Sequence, residues 1–122
     1  MPTLSKGRRI AGWVLTGLLT ALFVFSAGAK LAGVQQVIET FQKWGLQDQT
    51  ILIGGGELVS ILLFAIPKTH TIGLLLLSAY LGGAIATHMQ NGESYLSAAV
   101  ILFIVWLTSY LRSPQLLRAG AA

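Results

Sequence analysis

The chain has 122 residues, 54% of them hydrophobic and 10% charged, with a mean hydropathy of +0.73 and a formal net charge of +4. Soluble domains carry roughly 25% charged residues, so this composition excludes a soluble globular class, and the length leaves room for one domain. It contains no cysteine, which excludes disulfides, iron–sulfur ligation and dithiol chemistry within the chain.

The first apolar run, Ile10 to Ala29, is long enough to cross a bilayer unaided. It follows Lys6, Arg8 and Arg9 and ends at Ala27-Gly28-Ala29, the pattern of a secretory signal with an A-x-A site. The 17 residues from Ile10 to Ser26 exceed the roughly 7–15 of a signal core, so the run reads as a retained span. Next comes Val34 to Trp44, where Val34, Val37, Ile38, Phe41 and Trp44 share one helical face and Gln35, Gln36, Glu39, Gln42 and Lys43 the other. This segment is expected to be a short helix lying flat at the membrane surface, with Trp44 at the interface. The bland alternative is an amphipathic connector with no binding role.

Three more apolar runs follow: Ile51 to Ile66, Thr71 to Thr87 and Tyr95 to Leu111. They lie near the lower limit of about 17 residues for a span. Breaks at Trp44–Gln49, Pro67–His70 and Gln90–Glu93 separate them. The runs are apolar all round and lack period-2 alternation, as lipid-immersed helices require and barrel strands do not. The expected fold is all-α: a single membrane domain, an up-and-down bundle of four transmembrane helices at about 10–30, 50–66, 70–89 and 95–111, with the interfacial helix at about 34–44 between the first two. Close packing is expected through Gly17, Gly28, Gly73, Gly82 and Gly83, since small residues let helices approach in lipid.

Four spans put the N-terminus, the Pro67–His70 turn and the C-terminus on one side, with Lys6, Arg8, Arg9, Lys68, Arg112 and Arg118 and no acidic residue. The opposite side holds Lys30 and Lys43 against Glu39, Asp48 and Glu93. The positive-inside rule then places both termini in the cytoplasm. This scatter of basic residues lacks the aromatic interleaving of a nucleic-acid surface, so no nucleic-acid partner is expected. Trp13, Trp106, Tyr95 and Tyr110, near run ends, read as interface anchors.

Three ionisable groups stand against this apolar background: Lys30 at the end of the first run, Glu57 inside the second and His88 at the end of the third. Such groups are costly in hydrocarbon and mark function by default. The topology puts all three in the outer half, with Glu57 roughly 10 Å deep at 1.5 Å per residue. Lys30 can bend its stem toward Glu57, and Tyr80 falls near the same level. Lys30, Glu57, Tyr80 and His88 form the candidate polar core or ligand site. The bland readings are a carboxyl that only fixes helix register and a histidine that only reaches water. Gly54-Gly55-Gly56 precede Glu57 without the Lys-Ser/Thr of a phosphate loop; they admit a close neighbour, either backbone or ligand. His70 and His88, roughly 27 Å apart on one helix, cannot share a metal. No metal, haem or nucleotide motif is present.

Three stretches, Phe25-Ser26-Ala27-Gly28-Ala29-Lys30-Leu31, Gly54 through Glu57-Leu58, and Gly82-Gly83-Ala84-Ile85-Ala86-Thr87-His88, resemble the DoxX-like family of small bacterial four-helix membrane proteins. The resemblance runs from about Phe25 into the last helix, and Lys30, Glu57 and the Thr87-His88 pair carry most of it. It implies a bacterial inner-membrane setting and the four-helix fold. DoxX itself is linked to a thiosulfate:quinone oxidoreductase and to oxidative-stress complexes, and the wider superfamily includes receptor chaperones and cargo receptors. No catalytic residues are carried over, since a shared fold does not fix function.

The leading functional expectation is a non-catalytic module that binds a hydrophobic small molecule or a partner protein in the outer half of the bundle. The alternative is a quinone-handling subunit of an oxidoreductase complex, with quinone as the cofactor and Glu57 and His88 as the proton path. The chain carries no electron-transfer group, so that alternative needs a partner membrane protein. A transporter would need a homo-oligomer to build its pathway. Membrane lipid is the partner common to all these readings.

Overall fold

The computed structural model describes residues 5–117 and is helical throughout, with no strand among the described residues. Five α-helices follow in order: α1 (Lys6–Ala32), α2 (Gln35–Lys43), α3 (Thr50–Ala65), α4 (His70–Gln90) and α5 (Leu96–Arg112). Short 3-10 turns at Gln47–Gln49, Pro67–Thr69 and Pro114–Leu117 link or follow them. Three stretches are long and apolar enough to cross a membrane: Lys6–Ala32, Gln47–Ala65 and Pro67–Gln90. The α5 helix is apolar but has 17 residues. Arg118, counted above toward orientation, lies outside the described residues.

The local signals explain the boundaries. Ser5 accepts a hydrogen bond from the Arg8 amide and so caps α1, which starts four residues before the apolar run does. At its far end Gly33 takes φ +71°, and the Val34 amide donates back to the Ala29 carbonyl, closing the helix with a left-handed residue. Gly45, at φ +75°, does the equivalent after α2. The helix α2 is thus flanked by two glycines in a region that other residues avoid.

The long helices form a closed ring: α1 packs against α3 and α5, and α4 packs against α3 and α5. Neighbours in the ring run antiparallel, as an up-and-down order of the four long helices gives. Leu19, Phe23, Ile61, Phe64, Leu74, Leu77, Leu81 and Val105 fill the centre. Large apolar side chains such as Phe25, Leu52 and Phe103 stay exposed on the outside, the reverse of a soluble bundle and the surface that lipid would cover.

Close packing uses glycine differently from the sequence expectation. At Gly73 an added Cβ would collide with the backbone of Leu63 and Phe64, so α3 and α4 touch there. Gly12 and Gly54 do the same for α1 against α5 and α3. Gly17, Gly28, Gly82 and Gly83 have open space where a Cβ would stand. Apolar runs give no phase for which glycine faces a partner, and that missing phase is why four of the five were misassigned.

The end of the bundle that carries Ser5 and Arg112 is sealed around the last turn of α3. Ile66 precedes Pro67 and is extended, φ −77° and ψ 125°, since proline disfavours the helical region for its predecessor. Proline also removes an amide, so the terminal carbonyls need other donors. Leu62 O accepts from the Ile66 amide, and Leu63 O from the Thr69 hydroxyl at 2.8 Å. Phe64 O accepts from His70 Nδ1 at 2.7 Å and Arg112 Nη1 at 2.9 Å, and Ala65 O from Arg112 Nη2 at 3.2 Å. His70 Nε2 lies 3.0 Å from the Ser109 hydroxyl. The Arg112 guanidinium also stacks 4.0 Å from the centre of the Trp13 ring. His70 is therefore a buried clamp between α3 and α5 instead of part of a polar break. Trp13, expected to anchor at the interface, is exposed beneath the Arg112 guanidinium, while Trp106, expected to do the same, has a partner within the bundle. Trp106 donates to Ser78 Oγ at 3.0 Å.

Candidate functional site

At the opposite end, α1 brings Lys30 and Ser26 up one side while α3 brings Glu57 to face them. Gly54, one turn before Glu57, makes that meeting possible. A Cβ there would stand 2.8 Å from Lys30 Cβ, so only glycine lets α1 lie this close. Lys30 Nζ donates to Glu57 Oε1 at 2.9 Å and to Ser26 Oγ at 2.7 Å. The side chains are 11% and 2% exposed, so the pair is withdrawn from solvent. Tyr80, on α4, sets its ring edge-on to Phe23 and its hydroxyl beside Glu57 and Ser26. The Lys30 ammonium lies 5.9 Å from the centre of that ring.

A cavity of about 540 Å³ opens in front of this group. Lys30 and Tyr80 close its inner end, Ile53, Gly83 and Ala84 give it apolar walls, and His88 stands on its rim. Its roof is α2, which contributes Val37, Thr40 and Phe41, with Trp44 just after the helix. The amphipathic pattern thus has an internal purpose: the apolar face of α2 covers a hole in the bundle. Glu57 does not line the cavity; it stands behind Lys30, 1% exposed.

Glu93, in the turn between α4 and α5, ties the roof down. Its carboxylate accepts from Lys43 Nζ at 2.6 Å, from Trp44 Nε1 at 3.0 Å and from His88 Nδ1 at 3.0 Å. The Trp44 and His88 rings meet edge to face, 5.3 Å apart. Hydrogen bonds from Lys43, then from His88 and Trp44, hold the Glu93 carboxyl at about 2, well below its usual 4.5. The four residues singled out from the sequence therefore divide. Lys30, Glu57 and Tyr80 form one polar group, and His88 belongs to a second, around Glu93. No hydrogen bond joins Glu57 to His88 among the described residues. The sequence reading missed Glu93 because acidic residues in turns are ordinarily solvated; its spacing five residues after His88, just past the helix end, was the available signal.

Among the described residues no cluster of three His, Asp or Glu side chains is placed to hold a metal ion. The cavity lining is mostly apolar, with Lys30, Thr40, Tyr80 and His88 among its polar groups. The sequence model of the DoxX-like family matches residues 14–109, a stretch that holds Lys30, Glu57, Tyr80, His88 and Glu93. No curated protein and no solved structure matches the chain. With apolar helices of spanning length and a family match over most of its residues, this small helical membrane protein belongs to the DoxX-like family.

Proposed function

We propose that the protein is a non-catalytic binding module of the bacterial inner membrane. It crosses the bilayer four times with both termini in the cytoplasm and holds a hydrophobic small molecule beneath α2. The cavity carries this reading: about 540 Å³ lies inside the 300–1,000 Å³ of small-molecule sites, which are mostly apolar with a few placed polar groups. The fourth span is α5, which is short but completes the ring between α4 and α1; slight local thinning of the bilayer accommodates such a helix. Orientation rests on the one-sided Lys6, Arg8, Arg9, Lys68 and Arg112. In that orientation α2 lies at the outer interface.

The proton-path alternative has less support, because its two carriers sit in separate hydrogen-bonded groups. Glu57 engages Lys30, and His88 engages Glu93. The test of the binding reading is solvent extraction of the purified protein followed by mass spectrometry, with Ala84→Trp as the filled-cavity control. A small apolar molecule enriched over detergent blanks and lost in Ala84→Trp is expected. An extract unchanged by Ala84→Trp would refute the site. Reporter fusions after Ala122 and in the Gln90–Glu93 turn check the topology, and a C-terminal fusion active only outside would overturn it.

A further inference from the structure

Resting on the binding reading above, we infer that the ligand of the α2-roofed cavity is an uncharged molecule with a hydrogen-bond acceptor of the carbonyl class at its buried end. The inference comes from what the inner end of the cavity has left to offer. An ammonium has three donors. Lys30 spends one on Ser26 Oγ and one on Glu57 Oε1, which leaves one, and its side chain lines the cavity.

Charge then decides the class of acceptor. Lys30 and Glu57 lie 2.9 Å apart and almost out of solvent, and as an ion pair they carry zero net charge. A carboxylate, sulfonate or phosphate entering the same space would add a charge with no counterion in a low-dielectric setting, which is strongly unfavourable. A cation would meet Lys30 first. A neutral carbonyl oxygen meets a charged donor and brings no charge of its own, and such hydrogen bonds are among the stronger ones. The walls of Ile53, Ala79, Gly83 and Ala84 suit an apolar body. Glu57, recessed behind Lys30, thereby acts as a specificity residue: it cancels the charge that would otherwise make this an anion site.

The test is thermal-shift titration of the purified protein in a nonionic detergent with three probes of one chain length: dodecane, 2-dodecanone and dodecanesulfonate. The ketone should bind about tenfold more tightly than dodecane, as one hydrogen bond to a charged donor implies, and more tightly than the sulfonate. In Glu57→Gln the order should invert, with the sulfonate ahead. The double variant Lys30→Met/Glu57→Leu should bind ketone and alkane alike, and it gives the answer if Glu57→Gln does not fold. A sulfonate equal to or better than the ketone in the unaltered protein overturns the inference while leaving the cavity reading intact. Equal binding of ketone and dodecane there does the same. Failure of all three probes to bind overturns both.

Discussion

The two ends of the bundle use much the same polar vocabulary to opposite effect. At the end near Arg112, an arginine, a histidine and hydroxyls converge on the carbonyls that α3 leaves open, and those donors are consumed by backbone or by one another. At the end near Lys30, a lysine, a glutamate and a tyrosine also converge, but beside a cavity into which Lys30 and Tyr80 face. Buried polar groups stabilise when fully paired. On the binding reading proposed above, the two ends differ in the donor that Lys30 keeps for a ligand, not in residue type.

The largest effect should separate packing from both polar ends. Gly73→Leu must push its side chain into the Phe64 backbone, and a loss of about 3 kcal/mol or more is expected, enough to lose the ordered bundle. Gly83→Leu, at a position with open space, should unfold near the parent temperature. Similar melting of the two variants in detergent would contradict the helix contacts described above.

Breaking the Lys30–Glu57 pair comes next. Lys30→Met leaves a buried carboxylate without its partner and should cost about 3 kcal/mol, measured by denaturation in mixed micelles. Little change would mean that Glu57 finds another donor, and the contrast between the ends would weaken. Arg112→Met should cost about 2 kcal/mol, because Ala65 O loses its donor and Phe64 O one of two. That variant should leave ligand affinity within about twofold of the parent. A large loss of affinity would show the two ends to be coupled.

The smallest effect concerns the roof. With its carboxyl held at about 2 against 4.5 when unpaired, Glu93 contributes to the closed form fully above about pH 4.5. That contribution is lost as pH falls from there through about 2, where the carboxylate takes up a proton and releases Lys43, Trp44 and His88. Protection of the α2 amides, taken relative to the intrinsic exchange rate at each pH, should therefore fall on acidification in the parent protein. In Glu93→Gln that protection should be low already at neutral pH and change little with acid. Identical α2 exchange in the two proteins at pH 7 would dismiss the tie.

Much of the fold was legible because hydropathy and breakers speak locally. The four apolar runs, the Pro67 stop and the amphipathic Val34–Trp44 segment all correspond to helices or their ends. Glu57 was legible as a residue that must face inward, since lipid offers it no partner. Three things were not. Which glycines touch a neighbour depends on helix rotation, which an evenly apolar helix does not encode. His70 and Arg112 looked like turn and anchor charges because the open carbonyls they serve belong to a different helix. The polar group around Glu93 joins residues fifty positions apart, Lys43 to Glu93, a pairing no local pattern contains.

The roof helix has one more property, a matter of stereochemistry. Both residues that set its angle, Gly33 and Gly45, sit at positive φ, +71° and +75°, where an L side chain costs roughly 1–2 kcal/mol and its mirror image costs nothing. Neither has a neighbour within 3.4 Å of the space an L-residue's Cβ would take, so an L side chain there meets backbone strain, not crowding. D-alanine is free of that strain and narrows the unfolded chain, so it should favour the folded form. L-alanine should instead tilt α2 off the cavity, so the pose of the lid is written in the handedness of two backbone atoms.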